Sequence, residues 1–165
     1  MLPEYLSVDV VMERIPLASR WASEQWQPAS VEPIGPGRGA PREPVRIGDD
    51  GSRARWRFAG REIELHPTEA EGYFLNVSSE TPVVFVMWRL GEEGAEPRAE
   101  PFIVTLSYNE AGRFMDGGER VDPVPMDPAI REWLAAYVAL HYKPEPKKKA
   151  KRNDPFAAGA FRRDR

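Results

Sequence analysis

The stretch VRIGDDGSRARWRFAGREIELHP, residues 45–67, decides how the chain folds. It holds two turn signals, Asp50-Gly51 and Ala59-Gly60, between segments in which apolar and charged residues alternate. Alternation with a period of two is the mark of a strand with one buried face. A two-residue turn at 59–60 would make Trp56 face Ile63 and Ala54 face Leu65 on one side of a hairpin. Arg57 would then face Glu62, and Arg55 would face Glu64, on the other. Apolar residues meet apolar ones, and opposite charges meet across the strands, so the register is self-consistent. The weak point is Ala59, a poor first residue for the primed turn that such a hairpin needs.

Upstream, LSVDVVMERI places Leu6, Val8, Val10 and Met12 on one face, which predicts a strand. Val31 and Ile34 suggest a second strand after a bend at Pro28. GPGRGAPREP, residues 35–44, is too rich in Gly and Pro for regular structure and reads as a surface insertion. Downstream, EGYFLNVSSE and PVVFVMWRL read as strands. The second is apolar on both faces and so belongs in the middle of a sheet. GEEGAEPRAE is an exposed acidic connection, and PFIVTLSYNE is another strand. AGRFMDGGERVDPVPM is a turn-rich return with a short extended piece near 121–124. DPAIREWLAAYVALHY is the clearest helix. Asp127 caps it, Pro128 suits its first position, and Ile130, Trp133, Leu134, Tyr137, Val138 and His141 form one stripe. Pro144 and Pro146 stop it.

The expected fold is α+β and mainly antiparallel β: a sheet of roughly six to eight strands, sandwich or open barrel, covered by one C-terminal helix. Residues 1–142 form the single domain and 143–165 a flexible basic tail. That tail carries a net charge of +6 against −9 for the rest, which together give the chain's −3. Such a split suits an acidic partner or a contact of the tail with the body.

The chain has no cysteine, which removes disulfides, Cys-bound metals and thiol nucleophiles, and fits a cytoplasmic setting. No signal peptide is expected, since the N-terminus has neither a basic n-region nor a long apolar run. The longest apolar run, residues 83–88, is far short of the ~20 residues of a membrane span. Catalytic signals are thin. His66 with Glu69 and Glu71 in HPTEAEG could hold a metal or act as a base, but the spacing matches no ligand pattern, and a surface histidine in an acidic turn explains it. His141 is a helix-end histidine. No catalytic, cofactor or metal residue is assigned.

Recognition signals are stronger. Trp21 and Trp26 in RWASEQWQP form either an exposed contact surface or the start of a strand that packs Trp26 inward. Trp56, Trp88 and Trp133 read as core. Lys147, Lys148 and Lys149 open the tail. DPFAAGAFRRDR then places Phe156 and Phe161 five apart, with Arg162, Arg163 and Arg165 following. Apolar anchors beside arginines resemble a docking peptide, which cannot form a core alone. A basic tail can also bind nucleic acid, although the acidic body argues against it.

VVMERIPLASRWASEQWQP, GYFLNVSSETPVVFVMWR and VTLSYNEAGRFMDGGERVDPVPMDPAIREWLAAYVALHYKPEPKKKAKR together resemble a proteobacterial family of uncharacterised proteins. The resemblance covers most of residues 8–152. Members are often encoded close to molybdenum-dependent formate dehydrogenase genes. The resemblance implies an accessory or assembly role near that enzyme, with a dehydrogenase subunit or maturation factor as partner. It carries over no catalytic residues. The sequence thus points to a non-enzymatic accessory protein that acts by protein–protein binding. The alternatives are nucleic-acid binding through the tail and a small enzyme with a pocket near His66.

Overall fold

The computed structural model describes residues 4–18, 20, 23–49 and 53–144 of the 165. Among these residues, seven strands form two antiparallel sheets, one of four strands and one of three. The first sheet has the order β2-β1-β4-β3, from β1 (Tyr5–Pro16), β2 (Glu24–Pro36), β3 (Val45–Asp49) and β4 (Ala54–Glu64). The second has the order β6-β5-β7, from β5 (Val83–Leu90), β6 (Ala99–Thr105) and β7 (Arg120–Pro125). A 3₁₀ turn (Pro67–Glu69) leads into α1 (Ala70–Val77), α2 (Tyr108–Asp116) follows β6, and α3 (Pro128–His141) follows β7. The expectation of one sheet and one helix is therefore corrected to two sheets and three α-helices among the described residues. None of the helices among the described residues is long and apolar enough to cross a membrane.

The hairpin expected at Ala59-Gly60 does not form. β4 runs straight through both residues, and Trp56 lies opposite Met12 of β1, not Ile63. Val8 pairs with Arg61 and Val10 with Phe58, so Ala59 and Gly60 together oppose Asp9. This is a β-bulge, with Gly60 at φ +80°. The odd spacing from Phe58 to Ile63 changes the buried face once, and a two-residue turn and a one-residue bulge do so equally well. The long partner β1 selects the bulge, because it offers both halves of β4 a continuous ladder. The segment 37–44 packs against the bulge and is no loose insertion. Gly37 N–H donates to the Tyr5 carbonyl (2.9 Å), and a Cβ on Gly60 would stand 1.7 Å from the Ala40 oxygen. The expectation from Asp50-Gly51 holds at the level of pairing, since β3 and β4 are antiparallel neighbours. The turn residues themselves lie outside the described residues.

One core fills the space between the sheets. Val8, Val10 and Met12 of β1, Trp26 of β2, Trp56 and Phe58 of β4, and Val84, Val86 and Trp88 of β5 all belong to it. Tyr73 of α1 and Ile130, Leu134 and Tyr137 of α3 complete it. β5 is the middle strand, as its two apolar faces predict, and Phe85 on its other face meets Tyr108 of α2 with ring centroids 5.9 Å apart.

The segment EGYFLNVSSE is helical where a strand was expected. Its aromatic content mimics a strand, but Pro67 and the acidic first turn set a helix start. Asn76 fixes α1 in place. Its amide donates to the carbonyls of Val83 (2.7 Å) and Leu106 (2.9 Å), and its carbonyl accepts from Val83 N–H (3.0 Å). The helix α2 replaces the expected strand end and turn. Its start is a Ser-x-x-Glu capping sequence, in which Ser107 Oγ accepts from Glu110 N–H at 3.0 Å. α3 begins as expected, with Asp127 accepting from Ala129 N–H at 2.8 Å behind Pro128.

Candidate functional site

The two sheets leave a groove of about 590 Å³ where β2 and β7 approach each other. Trp26 and Trp88 form its floor, with Leu17, Leu90, Met115 and Val121 as apolar lining. Both tryptophans are almost buried, at 5% and 6% exposure, so each shows the groove an edge. Leu17 and Met115 are the exposed apolar residues of its rim, at 37% and 50%. A second hollow of about 490 Å³ adjoins it, sharing Glu24 and Arg98, and is lined by Arg14, Ser23 and the residues 93–96.

Arginines pack against the Trp26 side of the floor. The Arg14 guanidinium lies 5.7 Å from the Trp26 ring and 5.2 Å from the Trp56 ring. It donates to Glu96 at 2.9 Å, while Arg46 lies 5.1 Å from the Trp56 ring and 3.7 Å from Glu96. Glu96 thereby ties the connection between β5 and β6 to the four-stranded sheet. Such cation–aromatic contacts contribute about 0.5–1 kcal/mol each at exposed sites.

The carboxylates of the groove are engaged internally. Glu24 accepts from the Trp26 indole N–H at 3.0 Å, and Asp122 accepts from the Trp88 indole N–H at 2.7 Å. Glu119 takes two bonds from Arg89, at 2.7 and 3.1 Å. Those bonds hold its carboxyl below the ordinary glutamate value and raise the Arg89 guanidinium further. The cations differ. Arg120 lies 5.5 Å over the Trp88 ring, and Arg98 donates through Nε to the Gly91 carbonyl at 3.0 Å. Among the described residues, no carboxylate pairs with either guanidinium.

A family model described as "Protein of unknown function (DUF3305)" matches residues 7–151. The chain belongs to this family. No curated protein and no solved structure matches it. The match covers the described body of this DUF3305 chain from residue 7 onward, the groove included, and takes in Lys147, Lys148 and Lys149. Phe156, Phe161, Arg162, Arg163 and Arg165 lie beyond it.

Of the residues that the sequence analysis offered for partner binding, Trp26 alone falls among those described. It packs inward, its ring 5.2 Å from that of Trp56, and its edge reaches the groove. Trp21 and the tail residues Lys147, Lys148, Lys149, Phe156, Phe161, Arg162, Arg163 and Arg165 lie outside the described residues. Leu17 and Ser23, on either side of the segment that contains Trp21, both line the hollows. The His66 constellation is dispersed. Glu69 accepts from Ser107 Oγ (2.6 Å) and from Arg113, and Glu71 from Asn109 at 3.5 Å, so both carboxylates serve the α1–α2 contact. His66 lies 3.8 Å from Glu64 instead. Among the described residues, no group of three or more His, Asp or Glu is placed to hold a metal ion. Sequence reasoning missed Trp88, Arg98 and Arg120 as groove residues. Trp88 sits in an apolar run that reads as core, and the two arginines stand in segments that read as connections. No local signal marks them.

Proposed function

We propose that this DUF3305 protein is a non-enzymatic accessory or assembly protein of the cytoplasm that works by holding another protein. The observation that carries the proposal is the groove between β2 and β7. It has a tryptophan floor, exposed apolar residues on its rim, and two arginines that have no carboxylate partner among the described residues. Clefts that combine apolar anchor sites with a few fixed polar groups suit recognition of side chains. The basic tail, at +6, is a second element suited to an acidic partner. The resemblance to proteins encoded beside molybdenum-dependent formate dehydrogenase genes makes a subunit or maturation factor of that enzyme the partner to look for first.

The test is affinity capture from the native host with the full chain and with a chain ending at Tyr142, followed by mass spectrometry. The expected result is a dehydrogenase subunit or maturation factor retained by the full chain and retained less by the shortened one. Specific retention of nucleic acid in place of any protein would overturn the proposal, as would retention of neither.

A further inference from the structure

We propose that the groove takes an acidic peptide segment of another protein, one that carries an aromatic or large apolar side chain. The inference rests on the partner-binding reading above and adds the chemistry of what is bound. Three observations carry it.

The first is the charge that the groove offers. Of its three carboxylates, Glu119 is paired with Arg89 at 2.7 Å and Glu24 lies 4.0 Å from Arg14, so two are offset by cations, while Asp122 accepts only from the neutral Trp88 indole and keeps its charge. Arg98 and Arg120 retain guanidinium donors with no carboxylate against them among the described residues. A guanidinium with a free fork is matched best by a carboxylate, which it can bind through two parallel bonds. The body's net charge of −9 does not cancel this, because exposed charges more than about 8 Å away are screened at physiological salt.

The second is the apolar part. Leu17 and Met115 expose 37% and 50% of their surface at the same groove whose floor is the edges of Trp26 and Trp88. Met115 has an unbranched thioether side chain that can adapt to an inserted ring. An apolar side chain placed there would remove these exposed groups from water at about 25 cal/mol per Å².

The third is complementarity against the chain's own tail. The tail is rich in lysine and arginine, which would meet Arg98 and Arg120 as like charges. The occupant favoured by charge is therefore a segment of opposite sign, from a different protein.

The test uses the full chain labelled with ¹⁵N and two capped hexapeptides, each with one phenylalanine, flanked by glutamates in one and by lysines in the other. Five tryptophans give five indole N–H resonances. The acidic peptide is expected to shift those of Trp26 and Trp88 and leave that of Trp133 in place. R98Q/R120Q is expected to weaken binding at least ten-fold, and R98K/R120K to recover part of it, since the lysines restore charge without the fork. Equal binding of the lysine-flanked peptide, or unchanged affinity in R98Q/R120Q, would overturn the inference. So would an absence of shifts at Trp26 and Trp88. The failures are separable: a host protein captured equally by wild type and R98Q/R120Q leaves the partner-binding reading standing and removes the acidic groove ligand alone.

Discussion

Replacing Gly60 tests the feature on which the four-stranded sheet depends. In G60A the new methyl group meets two separate penalties. Gly60 sits at φ +80°, where an L side chain costs about 1–2 kcal/mol. The added Cβ would also stand 1.7 Å from the Ala40 oxygen and 2.5 Å from the Ala40 carbonyl carbon, so the 37–44 segment must lift away. Overpacking against backbone costs typically ~1–3 kcal/mol. The sum is a loss of roughly 2–5 kcal/mol, a large share of the ~5–15 kcal/mol that a domain has. Gly94 supplies the control. It sits at φ +90° with nothing within 4 Å of its added Cβ, so G94A carries the conformational part alone, about 1–2 kcal/mol. The assay is urea unfolding of wild type, G60A, G60N and G94A. Asparagine tolerates positive φ and is a preferred turn residue, so an exposed hairpin at 59–60 would accept it almost without cost. At a bulge covered by Ala40, G60N must lose at least as much as G60A. A G60N protein within about 0.5 kcal/mol of wild type would refute the bulge and the covering role of the segment.

Three further outcomes are expected. N76A removes three hydrogen bonds and leaves the partly buried Val83 N–H without its acceptor, so it should lose about 3–5 kcal/mol in the same assay; a loss under ~1 kcal/mol would contradict the anchoring of α1. A Cβ on Gly72 would lie 2.2 Å from Ser107 Oγ, so G72A should be markedly less harmful in an S107A background than alone, and simple additivity in the double-mutant cycle would contradict the contact. Glu119 should titrate below an ordinary glutamate, because Arg89 bonds its charged form. A lowered folded-state value means that the pair's contribution is present above the ordinary glutamate range and is lost as pH falls through the lowered value. The Glu119 carboxyl ¹³C titration should move up to the ordinary range in R89Q, and an unchanged midpoint would contradict the pairing.

The parts of the fold legible in sequence are those where one periodicity has one physical solution. β1 puts Leu6, Val8, Val10 and Met12 on one buried face, β5 is apolar on both faces, and α3 carries Asp127, Pro128 and a single stripe; all three stand where expected. The errors share a cause. At Ala59-Gly60 the local pattern fits a turn and a bulge equally, and only the distant partner β1 separates them. In α1, Tyr73 and Phe74 suggest a strand, while Asn76 is held by backbone that folds in from β5 and from the residue after β6. The start of α2 was legible in principle, since Ser107 and Glu110 have the capping spacing, but the apolar run before them hid it. The groove was legible only through Trp26. Trp88, Arg98 and Arg120 come together because β5, the β5–β6 connection and β7 meet β2 in space, and no sequence spacing encodes that.

Hydrogen exchange read by mass spectrometry, on the full chain with and without its captured partner, tests the central claim most directly. Partner binding through the groove predicts slowed exchange in the peptides that cover the start of β2, the β5–β6 connection and β7, with the exposed edge strand β3 unchanged. Protection confined to β3 or to the α1–α3 face, with exchange around Trp26, Arg98 and Arg120 unaltered, would contradict it.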